Sequence, residues 1–238
     1  MLPAGEFLPI AEKMGLIRSI DRFVLDAAIE ELASSPDVCL AVNIYNLSTT
    51  DPSWLRALTA QVKEHEDFAR RLLIEITETT ALHDMKEITR FIAALKEMGC
   101  RVALDDFGAG DTSFRHLQEL SVGVIKIDGS FVKTVDENAN SQLFIETLQS
   151  FADGLGLETV AECVETKRIA ELLLRYGVTY MQGYHFGAPT ASRPWNLKAP
   201  AFQVVPKGAT ADQFGVQKRS QPTLPAGGKV ISLATTRH

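Results

Sequence analysis

Six apolar strand segments alternate with amphipathic helical segments along residues 1–190, and every strand segment ends in a polar residue. These polar residues recur at about the length of one βα unit; they are Asn43, Glu75, Asp105, Lys126, Glu162 and Gln182. Such a repeat predicts parallel strands joined by helical crossovers. Because only a closed barrel brings every carboxyl strand end to one mouth, we predict an α/β fold of the (β/α)8 TIM-barrel type.

The helices between the strands are predicted from apolar spacing and from capping residues. Asp51 and Pro52 are typical of a cap and first helical position, and the apolar face of residues 84–98 indicates a further helix. Near the N-terminus we expect Ser19 to cap a helix. Its apolar stripe is expected to comprise Ile20, Phe23, Val24, Ala27 and Leu32.

The charge of the chain is uneven. The net charge is −6, of which residues 191–238 contribute +6 and the preceding residues −12. An acidic body argues against DNA as a partner. Five of the ten prolines lie in the basic stretch 191–238, for which we predict a linker or disorder. Residues 229–233 are its one cohesive apolar piece.

No apolar run is long enough for a membrane segment, and the N-terminus lacks the features of a signal peptide. A cytoplasmic location is therefore expected. The cysteines, Cys39, Cys100 and Cys163, are odd in number and lie in or beside apolar runs. We interpret them as reduced core thiols.

Asp105 and Asp106 end an apolar strand segment and precede a glycine-rich turn, residues 107–110. A buried unpaired carboxylate costs several kcal/mol or more, so a cation is expected beside them. With Asn43 and Glu75 at other strand ends, they form a set of hard oxygen donors that suits Mg²⁺ or Mn²⁺ better than zinc. A lone strand-end Asn or Glu is more often a turn or solvated residue, but four at matched positions favour a site.

Further polar residues extend the predicted site. Lys126 either pairs with a carboxylate for structural reasons or orients water beside a metal. Glu162 is the better placed of two acids for the mouth, and Glu165 serves equally well as an acid at a helix start. We expect Glu78 to hold the glycine-rich loop and Gln182 to contact water or a ligand base.

Taken in order, these motifs resemble those of the EAL family, bacterial phosphodiesterases or receptors for cyclic di-GMP. The resemblance covers about residues 3–190. It is carried by Asn43, Glu75-Ile76-Thr77-Glu78, Asp105-Asp106-Phe107-Gly108-Ala109-Gly110, Lys126-Ile127-Asp128, Ala161-Glu162-Cys163-Val164-Glu165 and Gln182-Gly183-Tyr184.

The resemblance implies metal-dependent hydrolysis of cyclic di-GMP to linear pGpG at a two-metal site for Mg²⁺ or Mn²⁺. It implies a homodimer, and an upstream sensory or GGDEF-type domain as a further partner. For the metals, the resemblance implies that Asn43, Glu75 and Asp105 bind the first and that Asp105 bridges to a second on Asp106. It implies that Lys126 and Glu162 position and activate water. It also implies that Gln182 and Glu165 bind substrate or water and that Glu78 anchors the loop 107–114.

Several features depart from the family pattern. The Glu-Ala-Leu signature, whose Glu binds metal in the family, is absent and would lie upstream of Met1. A barrel of eight strands takes about 250 residues, so we expect the first two strands to be lacking and sheet edges to be exposed. Where the family usually has a Ser, an aromatic residue and a Gly, this sequence has Tyr45, Asp111 and Cys163, respectively.

These departures lead us to expect weak or absent hydrolysis by the 238-residue chain alone. Full activity would refute that expectation. The alternative is a catalytically inactive cyclic di-GMP receptor or protein-interaction module. A metal-dependent barrel lyase or isomerase with a Lys base fits the ordered motifs less well.

Overall fold

The computed structural model describes residues 4–110, 114–189, 203–204 and 229–232. Helices and strands alternate, and all six predicted strands are present: β1 (Val38–Ile44), β2 (Leu72–Thr77), β3 (Arg101–Phe107), β4 (Val124–Ile127), β5 (Glu158–Ala161) and β6 (Tyr180–Met181). Two further strands are β7 (Gln203–Val204) and β8 (Lys229–Ser232). The helices are α1 (Ala4–Lys13), α2 (Ile17–Ser34), α3 (Asn46–Thr49), α4 (Pro52–Glu64), α5 (Glu66–Arg71), α6 (Glu78–His83), α7 (Met85–Glu97), α8 (Phe114–Leu120), α9 (Gly129–Thr134), α10 (Ala139–Leu155) and α11 (Lys167–Tyr176).

The last two predicted strands are shorter than the apolar pattern suggests. The sequence pattern at 158–165 and 179–184 is consistent with longer strands, but β5 ends at Ala161 and β6 at Met181. Cys163 has φ 54° and Gly183 has φ 155°. Extended strands require negative φ, so the chain turns out of the strand conformation at both places.

The chain divides into two compact units, and the boundary falls within β3. In the first unit β1 and β2 pair in parallel, with Asn43 level with Glu75. β8 joins the sheet on the other side of β1, in the order β2-β1-β8. The helices of this unit contribute fully buried apolar side chains, among them Leu25 of α2, Leu58 of α4 and Leu95 of α7.

The predicted start of α2 is wrong, and its predicted apolar face is wrong at Phe23, although Leu32 is buried as predicted. The helix begins at Ile17 and its N-cap is Leu16 without a side-chain bond, so Ser19 is not the cap. Phe23 is 72% exposed, whereas Asp21 is buried. Counting apolar residues selects the wrong phase, because the helix buries a carboxyl group and exposes an aromatic ring. By contrast, Asp51 caps α4 as predicted.

The second unit contains the end of β3 and β4 to β7, in the order β7-β6-β5-β4-β3. β4, β5 and β6 run parallel, and β7 pairs antiparallel with β6. Its core comprises side chains that are fully or almost fully buried, including Ile125, Ile145, Leu148, Val164 and Leu173.

Two of the earlier expectations concern residues outside the described ranges. Asp111 lies there, and so does most of the stretch 191–238, in which β7 and β8 are described. Disorder in the remainder of that stretch stays a prediction. Cys39 and Cys100 are buried, and burial raises the pKa of the Cys100 thiol to about 12. No helix in the described part of the chain is long and apolar enough to cross a membrane.

Candidate active site

Asp105 and Asp106 present neighbouring carboxylates at the carboxyl end of β3. In a regular strand successive side chains point to opposite faces. Here Asp106 has φ 57°, in the left-handed region, and its amide donates to Asp105 Oδ1 at 3.0 Å. Because a non-glycine residue in this region costs roughly 1 kcal/mol or more, the surrounding structure must stabilise the turn that brings both acids to one place.

Lys126 on β4 lies between two acids. Its Nζ is 2.9 Å from Asp105 Oδ1 and 2.9 Å from Glu162 Oε1. The Lys126 side chain is 4% exposed, and those of Asp105 and Glu162 are 11% and 18% exposed. The ammonium group therefore has well-buried carboxylate partners on both sides, which favours its charged form.

Glu162 has an altered acidity. Burial raises the pKa of its carboxyl group above the usual value, Lys126 opposes that rise, and the negative charge of Asp105 adds to it. A carboxyl group with a raised pKa is a better proton acceptor than an exposed one. The cluster therefore combines a fixed cation with a group suited to proton transfer.

The chain turn after β5 fixes the direction of Glu162. The Glu162 amide donates to Ile127 O at 3.4 Å, which links the end of β5 to the end of β4. Cys163 then adopts φ 54° and packs against Gly129, where an added Cβ would lie 2.6 Å from the Cys163 sulfur. The missing side chain at Gly129 therefore makes room for this turn.

The turn after the acid pair packs against aromatic rings. Phe131 stacks on Phe144 with ring centroids 3.9 Å apart, and Phe107 stacks on Phe144 at 6.4 Å. Gly108 has φ 101°, and a Cβ there would lie 2.7 Å from Phe144. Only glycine therefore combines the backbone angle with this close approach.

The acid cluster fits a divalent cation. Asp105, Asp106 and Glu162 each offer an oxygen, and these oxygens lie within 4.8 Å of one another. An all-oxygen carboxylate set is the donor type that Mg²⁺ and Mn²⁺ prefer. Lys126 neutralises part of the charge on Asp105 and Glu162.

Two further donors lie together in the first unit. Asn43 and Glu75 are register partners at the carboxyl ends of β1 and β2. Glu75 is 2% exposed, so its carboxylate is held in a nearly dry environment. Glu78 is also buried and begins α6, whose N-cap is Thr77. Its expected bond to the loop 107–114 stays a prediction.

Gln182 and Glu165 are placed differently from the acid cluster. The Gln182 main chain is anchored, because its amide donates to Ala161 O at 2.8 Å and its carbonyl accepts from Val164 N at 3.0 Å. Glu165 is exposed and precedes the α11 N-cap, Thr166. The structure thus brings Lys126, Glu162, Asp105 and Asp106 together, but Glu165 lies outside the acid cluster.

Sequence reasoning missed Asp21 on α2. It is 3% exposed, and burial raises the pKa of its carboxyl group to about 6. A signal was present, because Asp21 lies four residues after Ile17 and four before Leu25, on the face that both bury.

Comparisons with known proteins identify the family of this chain. The EAL domain family model matches residues 1–189. Cyclic di-GMP phosphodiesterase PdeF of Escherichia coli K12 is 31% identical over 193 residues, which are 79% of this chain and 26% of that protein. The chain thus spans about a quarter of the length of this relative.

Solved structures show the same fold. The Pseudomonas aeruginosa MucR phosphodiesterase in complex with cyclic di-GMP aligns with a TM-score of 0.72 at 31% identity, covering 78% of this chain and 77% of that one. The Klebsiella pneumoniae BlrP1 complex with manganese and cyclic di-GMP aligns with a TM-score of 0.67 at 26% identity, covering 72% and 45%. These structural likenesses confirm the predicted fold class. Because the family model matches most of the length of this chain, the chain belongs to the EAL domain family.

Proposed function

We propose that this chain hydrolyses cyclic di-GMP to linear pGpG in a reaction that depends on Mg²⁺ or Mn²⁺. The observation that carries the proposal is Lys126 held 2.9 Å from both Asp105 and Glu162, with Asp106 beside them. The cyclic di-GMP in the MucR complex and the manganese in the BlrP1 complex support the choice of substrate and cofactor.

The residues of the cluster have distinct roles in this proposal. Divalent metals, when bound, would supply electrophilic stabilisation of the phosphate oxygens. Glu162, whose pKa is raised by burial, takes a proton from the attacking water. Lys126 holds Glu162 and Asp105 in place. The water oxygen bonds to phosphorus, the bond from phosphorus to a ribose 3′ oxygen breaks, and that oxygen leaves with a proton, so one water is consumed.

We propose the metal ligands that the resemblance to the EAL family implies. Asn43, Glu75 and Asp105 would hold one metal, and Asp105 and Asp106 would hold the second. Each donor is an amide or carboxylate oxygen, as Mg²⁺ and Mn²⁺ require. Gln182 and Glu165 would contact substrate or water, and Glu78 would anchor the loop 107–114.

One observation favours a second function, that of a cyclic di-GMP receptor or interaction module. No Glu-Ala-Leu tripeptide occurs in the sequence, and in the family its Glu is a metal ligand. We therefore expect turnover by this chain to be slow. A receptor would bind cyclic di-GMP and release it unchanged.

A single-turnover experiment separates the two functions. The 238-residue chain in excess over cyclic di-GMP is incubated with Mn²⁺, and products are followed by liquid chromatography and mass spectrometry. We expect pGpG from the wild type and none from Glu162→Gln. Glu158→Gln is the matched control, because Glu158 lies at the opposite end of β5 and bonds to the Tyr180 hydroxyl. Bound but intact cyclic di-GMP over several days would favour the receptor.

The remaining expectations stay proposals. We propose a homodimer, which analytical ultracentrifugation with and without Mn²⁺ and cyclic di-GMP tests, and a sensory or GGDEF-type domain as a functional partner. A cytoplasmic location and the lack of DNA binding likewise stay predictions.

A further inference from the structure

Asp21 is a buried acid that the proposed reaction does not use. It lies on the buried face of α2 and is 3% exposed. Its Oδ2 accepts a hydrogen bond from the Tyr45 amide at 3.1 Å. The Trp54 indole donates to the main-chain oxygen of Asp21 at 3.3 Å.

These bonds hold the connection between β1 and α3. Tyr45 is the N-cap residue of α3, and its side chain makes no capping bond. Its carbonyl accepts from Ser48 N at 2.9 Å. The Asp21 carboxylate reaches across 24 positions of sequence to bond the amide of this same residue. Asp21 thus adds, from α2, a side-chain hydrogen bond to the main chain of this connection.

The anchor lies close to a proposed metal ligand. Tyr45 follows Asn43 by two residues, and Asn43 is level with Glu75 in the register of β1 and β2. Arg18 Nε, one helical turn before Asp21, donates to Leu47 O at 3.3 Å. Two side chains of α2 therefore bond to the main chain just beyond the end of β1.

Packing alone does not account for an acid at this position. A carboxyl group buried among Ile17 and Leu25 loses its hydration, and an apolar side chain of similar size would avoid that cost. Within the described ranges, the Asp21 carboxylate accepts a hydrogen bond from the Tyr45 amide, and no Lys or Arg forms an ion pair with it. What the carboxylate adds is a strong acceptor for the Tyr45 amide.

We propose that Asp21 is a positioning residue that, through the Tyr45 amide, fixes the end of β1 and thereby the placement of Asn43 as a metal ligand. This inference rests on the proposed function, because it requires that Asn43 binds metal. Asp21 itself touches neither metal nor substrate in this account.

The test compares Mn²⁺ binding and amide exchange in variants of the 238-residue chain. Asp21→Leu removes the acceptor but keeps an apolar side chain of similar volume. We expect its Mn²⁺ dissociation constant, from electron paramagnetic resonance titration, to rise at least tenfold, and the Tyr45 amide to exchange at least tenfold faster. Asp21→Asn keeps an acceptor, so its Mn²⁺ dissociation constant should stay within threefold of the wild type and its Tyr45 amide should exchange no faster than in the wild type.

Glu31→Leu is the matched control. Glu31 is a second buried acid of α2, and it bonds to Ser35 at the far end of the helix. This variant should change the melting temperature without changing Mn²⁺ affinity. If Asp21→Leu does not fold, Asp21→Ser takes its place. We expect the same loss of Mn²⁺ affinity and the same faster exchange of the Tyr45 amide, because the shorter side chain cannot reach that amide.

The outcomes separate this inference from the proposed function. Folded Asp21→Leu or Asp21→Ser with wild-type Mn²⁺ affinity, while Asn43→Ala loses Mn²⁺, would overturn the positioning role alone. No Mn²⁺ binding by the wild type, or wild-type affinity in Asn43→Ala, would overturn the assigned metal role of Asn43 and the inference that rests on it.

Discussion

Replacing Lys126 by Met isolates the electrostatic role of the cluster. Met has nearly the length of Lys, so the change keeps the packing and removes the charge and its donors. In the native structure Nζ lies 2.9 Å from oxygens of both Asp105 and Glu162. Without it, these two acids face each other with no cation between them.

The magnitude follows from the burial of the three groups. Removing one partner of a buried ion pair costs roughly 3–5 kcal/mol, because the remaining charge is left uncompensated. The side chains of Asp105 and Glu162 are still 11% and 18% exposed. We therefore expect the free energy of unfolding to fall by about 3 kcal/mol at pH 8, the lower end of that range.

The loss should depend on pH. Burial raises the pKa of Glu162 above 4.5, and Lys126 opposes that rise, so the pKa should be higher still in Lys126→Met. A raised carboxyl pKa stabilises the folded state below the unfolded-state pKa, and this contribution is lost as pH rises through the folded-state value. The difference between variant and wild type should therefore be smaller at pH 5 than at pH 8.

Urea unfolding followed by circular dichroism, in EDTA at pH 5 and pH 8, measures both values. The double variant Lys126→Met with Glu162→Gln should recover part of the loss at pH 8, because only Asp105 then lacks its cation. A loss below about 0.5 kcal/mol at pH 8, or an equal loss at both pH values, would refute the electrostatic reasoning.

Three further predictions concern other residues. Asp105→Ala should abolish Mn²⁺-dependent formation of pGpG in the chromatographic assay, because it removes the shared partner of Lys126 and the proposed metals; unchanged product would exclude the assigned role. Gly108→Ala should lower the free energy of unfolding by about 2 kcal/mol, since its φ is 101° and its Cβ would lie 2.7 Å from Phe144; an effect below about 0.5 kcal/mol in urea would contradict this. The pKa of Asp21 is raised from 3.8 to about 6, so its protonation stabilises the fold below pH 3.8 and this contribution is lost as pH rises through 6. Asp21→Asn should therefore match the wild type near pH 3.5 and exceed its stability by up to about 3 kcal/mol at pH 8, and parallel pH curves for the two proteins would show that the pKa is not raised.

The fold class and most of the cluster could be predicted from the sequence, because both depend on regular spacing. Apolar runs at βα intervals locate the strands, and a polar residue after each run marks a carboxyl end. Lys126, Glu162 and Asp105 were predicted in this way, and the structure brings them within hydrogen-bonding distance.

What could not be predicted depends on single backbone angles and on the phase of a helix. Asp106 and Cys163 are not glycines, so nothing in their type announces a positive φ. The left-handed turn at Asp106 places it beside Asp105, and the one at Cys163 ends the strand conformation early. In α2, Phe23 was expected on the buried face but is exposed. The buried face instead contains Asp21, whose carboxylate accepts a hydrogen bond from the Tyr45 amide.

The most direct test of the account is the fate of cyclic di-GMP bound to this chain with Mn²⁺. Under single-turnover conditions we expect slow, complete conversion to pGpG by the wild type and by Glu158→Gln, and none by Lys126→Met or Glu162→Gln. Intact cyclic di-GMP recovered from the wild type, or product formed equally by Glu162→Gln, would contradict the claim that the cluster around Lys126 carries out the hydrolysis.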